Sequence, residues 1–483
     1  MIFNSIEFLF FLPVVFAFYW MMRKRMQLQN AFIVVASYFF YGWWDWRFLL
    51  LIAFTSSCSY ASGLLIEKLR NRADLSDRQI QKKTKGITTA NIVINLLILG
   101  VFKYYNFFIE SFVVLFPALD ADQLLLNIIL PVGISFYTFQ ALSYSIDIYR
   151  SKMKPTHNAI AFFAYVSFFP QLVAGPIERA TNLLPQFEKC RTFDYCTAID
   201  GLRQMLWGFF KKMVIADRCA VFVDTIWNEY STQSASTLLL AAALFTFQIY
   251  GDFSGYSDIA IGTAKLFGIR LKRNFNVPYF SRDIAEFWRR WHISLTTWFR
   301  DYLYIPLGGS RVSKVKIVRN TFIIFLVSGL WHGANWTFIV WGAYHALLFL
   351  PLILLGKNRR YTNTVAEGRL LPTLHEFLQM LLTFVLAIMG WIIFRAENLH
   401  QAIDFFGHLF SPSLLSIPIA VPGVTLIFIL VMLVVEWFNR SKEHGLVLDM
   451  VKPLWLRWLI YYTIVFAILL FSFESESFIY FQF

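Results

Sequence analysis

The sequence predicts an all-α integral membrane protein, a polytopic bundle of about 10–12 transmembrane helices with re-entrant and amphipathic helices, forming one membrane-embedded domain over residues 1–483. Two observations carry this reading. Of the residues, 58% are apolar and only 15% charged, and the mean hydropathy is strongly positive. A helix crosses a hydrocarbon core of about 30 Å with about 20 residues, so the chain has room for ten or more. The apolar residues also come in long runs, with 19% of the chain aromatic, which does not fit the weak alternating pattern of an outer-membrane barrel.

Basic clusters between the apolar runs set the order and orientation of the elements. The first 22 residues are apolar, start without a basic segment and meet no small-residue cleavage site before Arg23-Lys24-Arg25, so they read as a retained helix with its N-terminus outside. Helices over 30–44 and 47–66 follow, hinged at Trp43-Trp44-Asp45-Trp46-Arg47 in the outer interface. Loop 67–87 carries Lys68, Arg70, Arg72, Arg78, Lys82, Lys83 and Lys85 and belongs inside. An apolar stretch, 88–116, leads to an outer turn at Asp120 and Asp122, and 123–149 returns to Arg150, Lys152 and Lys154. Segment 158–180 is broken by Pro170, Gly175 and Pro176. Broken backbone at membrane depth survives only where protein or a water-filled cavity surrounds it, so this segment reads as re-entrant. Helices near 197–228 and 236–268 complete the first half, and no internal repeat links the halves, which weighs against a transporter built on inverted repeats.

The largest polar region, 270–319, holds eleven Lys or Arg against Asp283, Glu286 and Asp301, which places it on the cytoplasmic side. Within it Phe287, Trp288, Trp291, Leu295, Trp298, Phe299 and Tyr302 recur every three or four residues, as on one amphipathic helix whose other face carries Arg282, Arg289, Arg290 and Arg300. Such a helix either lies on anionic lipid or forms a basic mouth for a polyanionic donor. The next 36 residues, Thr321 to Gly356, contain no Asp, Glu, Lys or Arg. As one helix they would measure about 54 Å, well beyond the hydrocarbon thickness. A break is expected at Gly333-Ala334-Asn335, with His332 at a helix end near mid-membrane. Later spans are predicted at 371–394, 419–438 and 453–474, with an outer amphipathic helix at 398–410 and an outer C-terminus.

The chemistry narrows by exclusion. Four cysteines without a C-x-x-C pair suggest no disulfide framework or zinc knuckle, and no metal site is expected. His375-Glu376 lacks the second zincin histidine, and Gly251-Asp252-Phe253-Ser254-Gly255 has the wrong spacing for a nucleophile elbow. No phosphate-binding loop or dinucleotide fingerprint occurs. An imidazole at membrane depth is costly and is a functional candidate by default. With an unperturbed pKa of about 6.5 it suits a general base, and transfer of an acyl group from a thioester to a hydroxyl needs little more. His332 is that candidate, against a structural or proton-path role, and the Asn335 amide or a backbone N–H at the break could stabilise an oxyanion.

The run Glu286-Phe287-Trp288-Arg289-Arg290-Trp291-His292-Ile293-Ser294-Leu295, continued by Trp298-Phe299-Arg300-Asp301-Tyr302-Leu303-Tyr304-Ile305-Pro306-Leu307-Gly308-Gly309 and by Trp331-His332-Gly333, resembles the signature of membrane-bound O-acyltransferases of the alginate O-acetyltransferase type. Gly251–Asp258, Asn274–Tyr279, Phe168–Ile177 and the N-terminal stretch Met1–Trp20 resemble the same group, so the likeness covers essentially the whole chain. It implies a helical membrane enzyme with His332 as catalytic base and His292 as second motif histidine. Relatives using a carrier-bound D-alanyl donor share the histidine motifs. It further implies that an acyl thioester such as acetyl-CoA is loaded from the cytoplasm, as a substrate and not a resident cofactor, and that the acyl group leaves on the other face.

Trp288, Arg289, Arg290, Ser294, Trp331, Asn335 and Asp252 are the candidate substrate-binding residues; lipid headgroups are an equal reading for the two arginines, and a hydrogen-bonding network for Asp252. His345, thirteen residues from His332, would point well away on a continuous helix and reads as a wall residue. The expected setting is a bacterial cytoplasmic membrane. The expected partners are the bilayer, the acyl donor and an extracytoplasmic acetyltransferase or polysaccharide export protein, with no nucleic acid. Two readings stand: an O-acetyltransferase acting on an exported polysaccharide, directly or through a partner, and a transporter in which His332 relays protons. The acceptor stays open among alginate, cellulose, peptidoglycan and other envelope glycans.

Overall fold

The computed structural model describes residues 1–116, 120–471 and 478–479. Among the described residues every regular element is helical. Among these residues six helices are long and apolar enough to cross a membrane, namely Arg47–Arg70, Asp77–Leu115, Ala235–Leu266, Trp336–Leu354, Leu374–Arg395 and Leu454–Phe471, and Ile6–Met21 and Gly423–Phe438 are shorter apolar helices. The protein is an all-α, multi-pass membrane protein. The Asp122 side chain, the end of the last expected span at 472–474 and the C-terminus at 480–483 lie outside the described residues.

The chain forms two compact units, Met1–Gly201 with Ala260–Lys272, and Leu202–Ile259 with Arg273–Phe483. The first holds α1 (Ile6–Met21), α2 (Met26–Gly42), α3 (Arg47–Arg70), α4 (Asp77–Leu99), α5 (Tyr105–Leu115), α6 (Ala121–Leu124), α7 (Ile134–Tyr149), α8 (Ala159–Ser167), α9 (Phe169–Leu172) and α10 (Ala180–Phe187). The basic segment expected as a loop at 67–87 is helical from Asp77. Ser76 and Gln79 form a capping box that starts α4 early, so Arg78, Lys82, Lys83 and Lys85 ride on a helix. The span expected over 123–149 shortens to α7, because Pro131 and the left-handed Gly133 precede it. The break expected near Pro170 falls at Phe168, where the backbone leaves the helical region between α8 and α9.

The second unit contains most of α11 (Tyr195–Phe209) and α13 (Ala235–Leu266), with α12 (Asp217–Asn228), α14 (Ile284–Arg290), α15 (Ile293–Phe299), α16 (Lys314–His332), α17 (Trp336–Leu354), α18 (Leu374–Arg395), α19 (Leu399–Leu409), α20 (Gly423–Phe438) and α21 (Leu454–Phe471). Between α11 and α12 a wide π-helical turn, Phe210–Ala216, carries Lys211 and Lys212. Both lysines are buried and paired: Lys211 Nζ is 2.6 Å from Asp258, and Lys212 Nζ is 2.8 Å from Asp217 and 2.7 Å from Asp252.

The uncharged segment breaks where its sequence predicts. Helix α16 ends at His332, and α17 starts after Asn335, whose side chain caps it through the Thr337 N–H. The two helices pack as a hairpin. Each has 19 residues and so measures about 28 Å. His332 therefore stands a full helix length from the basic end at Lys314. Glycines allow the close pairing: a Cβ on Gly329 would overlap the Phe338 carbonyl oxygen, and one on Gly342 the Phe325 carbonyl oxygen.

Replacing Gly329 by Ala pushes α16 off α17, and overpacking of this kind costs about 1–3 kcal/mol. Thermal unfolding in detergent should place Gly329→Ala clearly below wild type. Gly407→Ala, where an added Cβ meets nothing within 4 Å, should not fall. Equal melting of the three proteins would contradict the close approach.

Candidate active site

His332 ends α16 and is 3% exposed. Its ring lies 5.0 Å from Trp331, 5.1 Å from Trp341 and 5.4 Å from Phe394 between centroids. Gly333 is required beside it, since any Cβ there would enter the Phe338 ring. The second motif histidine reaches the same place by another route. His292 does not sit within one amphipathic helix, as its spacing predicts. The run breaks into α14 and α15, with Trp291 extended and His292 in the left-handed region at φ 42°, ψ 53°. This conformation is uncommon for a residue with a side chain and marks strain held by its surroundings. Here the holding element is the segment around Asn274: the Ile293 N–H donates to the Asn274 carbonyl and the Asn276 N–H to the Arg290 carbonyl, both at 2.9 Å.

The His292 side chain is buried among Phe253 at 4.6 Å, Trp331 at 5.8 Å and Phe275 at 6.3 Å. Its Nδ1 lies 3.2 Å from Asn274 Oδ1. Burial pushes the imidazole down to about 3, so it is neutral at neutral pH. Trp331 thus touches both motif histidines. Ser294, a candidate binding residue, donates its hydroxyl to Asn274 at 2.8 Å. Trp288 packs on His345 at 5.0 Å, Phe325 at 5.4 Å and Trp341 at 5.5 Å.

His345 does not point well away from His332. Folding of the hairpin places His345 4.9 Å from Trp341, the ring that also contacts His332. The thirteen-residue spacing misleads because the helix it assumes does not exist.

Three candidates have other work. Arg290 is 6% exposed and donates to Glu286 Oε1 at 2.8 Å and to the Asn363 carbonyl at 3.0 Å. Arg289 donates to the carbonyls of Asn358 and Tyr361 at 2.7 and 2.6 Å. Arg282 joins them through Glu286 and Asn363, with its guanidinium 4.3 Å from the Tyr361 ring centre. The basic face expected to meet donor phosphates or lipid headgroups instead pins loop 358–363. The physical reason is burial of Glu286, which forces cations to its side. Asn335 is also engaged: its Oδ1 accepts the Thr337 N–H to cap α17, and its Nδ2 donates to the Glu397 carbonyl at 2.6 Å.

Asp252 pairs with Lys212 and accepts from the Ile479 N–H at 2.6 Å, while the adjacent Phe253 touches His292. Sequence reasoning assigned no role to Asn274, although it lies in a motif already singled out. It also passed over Lys211 and Lys212, whose charge within the apolar stretch Met205–Ala216 was a usable signal. Among the described residues no group of three or more His, Cys, Asp or Glu could hold a metal ion.

The profile of the membrane-bound O-acyltransferase family matches residues 149–394, which include both motif histidines. A Pseudomonas aeruginosa protein named "Probable alginate O-acetylase AlgI" is 42% identical over 415 residues, 85% of this chain and 75% of that one. A Helicobacter pylori peptidoglycan O-acetyltransferase is 35% identical, with 83% and 78% covered. A Bacillus subtilis teichoic acid D-alanyltransferase is 29% identical, with 57% and 71% covered.

Substituting Glu286 by Gln keeps the shape but strands two buried guanidinium groups. Breaking such a pair typically costs about 3–5 kcal/mol. The variant should melt well below wild type, and protease cleavage between 358 and 363 should accelerate; neither change would mean the carboxylate does not organise this region.

Proposed function

The chain belongs to the membrane-bound O-acyltransferase family and is an O-acetyltransferase, and on that premise we propose that it carries acetyl from a cytoplasmic thioester such as acetyl-CoA to hydroxyls of an exported polysaccharide, directly or through an extracytoplasmic partner. The setting proposed is a bacterial cytoplasmic membrane with both termini outside. Bond making by the chain sets aside the transporter reading. Support for a polysaccharide acceptor comes from the names of the alginate and peptidoglycan relatives.

One observation supports the placement of the chemistry: two buried imidazoles, His332 and His292, contact the same ring, Trp331. In the proposed reaction neutral His332 takes the proton of the acceptor hydroxyl as its oxygen attacks the thioester carbonyl. The C–S bond then breaks as the new ester C–O bond is completed, and the proton passes from the imidazolium to the leaving thiolate. Burial among aromatic rings keeps water from competing for the acyl group. His292 holds a substrate polar group, and Trp288 and Trp331 form apolar wall for the acyl thioester. Ser294 and Asp252 act through the residues they bind. Arg289 and Arg290 are not proposed as donor ligands.

Transfer of radiolabelled acetyl from acetyl-CoA, measured with purified protein in bilayer nanodiscs and an oligosaccharide acceptor, tests this. His332→Ala should lose on the order of 10²–10⁴-fold in rate, the usual worth of a general base. His292→Ala should also fall steeply while both variants keep wild-type melting. A His332→Ala protein at wild-type rate would remove His332 as the base.

A further inference from the structure

Asn274 is fully buried and its carboxamide is oriented by a group other than histidine. The Ser294 backbone N–H lies 3.2 Å from one end of that carboxamide, and a backbone amide can only donate. The atom facing it is therefore the oxygen. The same oxygen accepts from the Ser294 hydroxyl at 2.8 Å, and the carboxamide nitrogen is 3.2 Å from Ser257 Oγ at the opposite end. Two neighbours thus fix which way Asn274 points before His292 is considered.

His292 Nδ1 meets this oxygen at 3.2 Å. A carboxamide oxygen cannot donate, so Nδ1 must carry the hydrogen. In a neutral ring the other nitrogen is then bare. Nε2 is buried and has no hydrogen-bond partner among the described residues. A buried acceptor left open is costly, and in a site of this kind it marks the place of an absent donor.

We infer that Asn274 is a positioning residue that locks His292 as its Nδ1–H tautomer and reserves Nε2 to accept a hydrogen bond from an O–H or N–H of the bound substrate. The lock and the left-handed backbone have one origin, since Asn274 also accepts the Ile293 N–H through its carbonyl. The inference rests on the reading that His292 serves the acyl-transfer site. It deepens that reading by giving each ring nitrogen a separate task.

The tautomer can be seen directly by long-range proton–nitrogen spectroscopy of the full-length protein, labelled at histidine nitrogen, in nanodiscs. A His292→Gln sample identifies the His292 signals. Wild type should show a protonated Nδ1 and an unprotonated Nε2. Asn274→Ala should move the proton to Nε2 and lower kcat on the order of 10²-fold, as wrongly presented catalytic imidazoles do. Asn274→Asp, whose carboxylate still accepts the same hydrogens, should keep Nδ1–H and recover part of the rate. Ser294→Ala should leave the tautomer unchanged, because the backbone N–H still orients Asn274. A wild-type His292 protonated at Nε2 would overturn the inference even if no Asn274 variant folds, and so would an unchanged tautomer in Asn274→Ala. An Nδ1–H signal together with full activity of His292→Gln would instead strike at the function assigned to His292, so the two failures are distinguishable.

Discussion

Glu286 is a carboxylate at 1% exposure, and much of the second unit is arranged to make that tolerable. A buried charge left alone is far more costly than a buried pair, so Arg282 and Arg290 must lie beside it and must themselves be satisfied. Both donate further to Asn363, Arg290 also donates to the Asn276 carbonyl and Arg282 also faces Glu376, and Arg289 adds the carbonyls of Asn358 and Tyr361. The loop after α17 is thereby tied to α14. Beyond α14 the chain turns at Trp291 and His292, and the Asn274 segment holds that turn through two backbone hydrogen bonds. The same requirement governs Lys211 and Lys212, which settle against Asp258, Asp217 and Asp252 on neighbouring helices.

Period and charge made the helices legible, and the residues that break period made the turn legible. Gly333-Ala334-Asn335 announced the end of α16 through its small and capping residues, and the structure breaks there. The regular recurrence of Phe287, Trp288, Trp291, Leu295 and Trp298 was persuasive for the opposite error. Those side chains do all go inward, but on two short helices rather than one, because hydrogen bonds from a segment distant in sequence outweigh local propensity at His292. Nothing in the run itself encodes that partner. The arginines misled for a related reason. Sequence gives their sign and spacing but not the burial of the acid between them, and burial decides whether a guanidinium meets a ligand or a neighbour.

The sequence places His332 at a helix end because of the break at Gly333-Ala334-Asn335, and the structure has the break there. Helix α16 begins at Lys314, within the polar region, and so uses seven residues before the uncharged stretch starts. Its end is correspondingly farther from the basic side. The α14–α15 break brings His292 to that end of α16. Trp331, adjacent to His332 and in contact with His292, is where the two elements meet.

Two histidines in one buried aromatic cluster would be redundant if both served as bases. Their supports differ in kind, which argues for different tasks. His292 is anchored through a hydrogen-bonded nitrogen to an uncharged carboxamide, an arrangement that fixes a tautomer without raising basicity as a carboxylate would. Such an imidazole is suited to holding a hydrogen-bonded group in one place, and poorly suited to carrying a full positive charge. His332 stands at the C-terminal end of α16, enclosed by Trp331, Trp341 and Phe394. The two rings are thus held in different ways: His332 by aromatic packing at the end of α16, and His292 by a hydrogen bond to the Asn274 carboxamide.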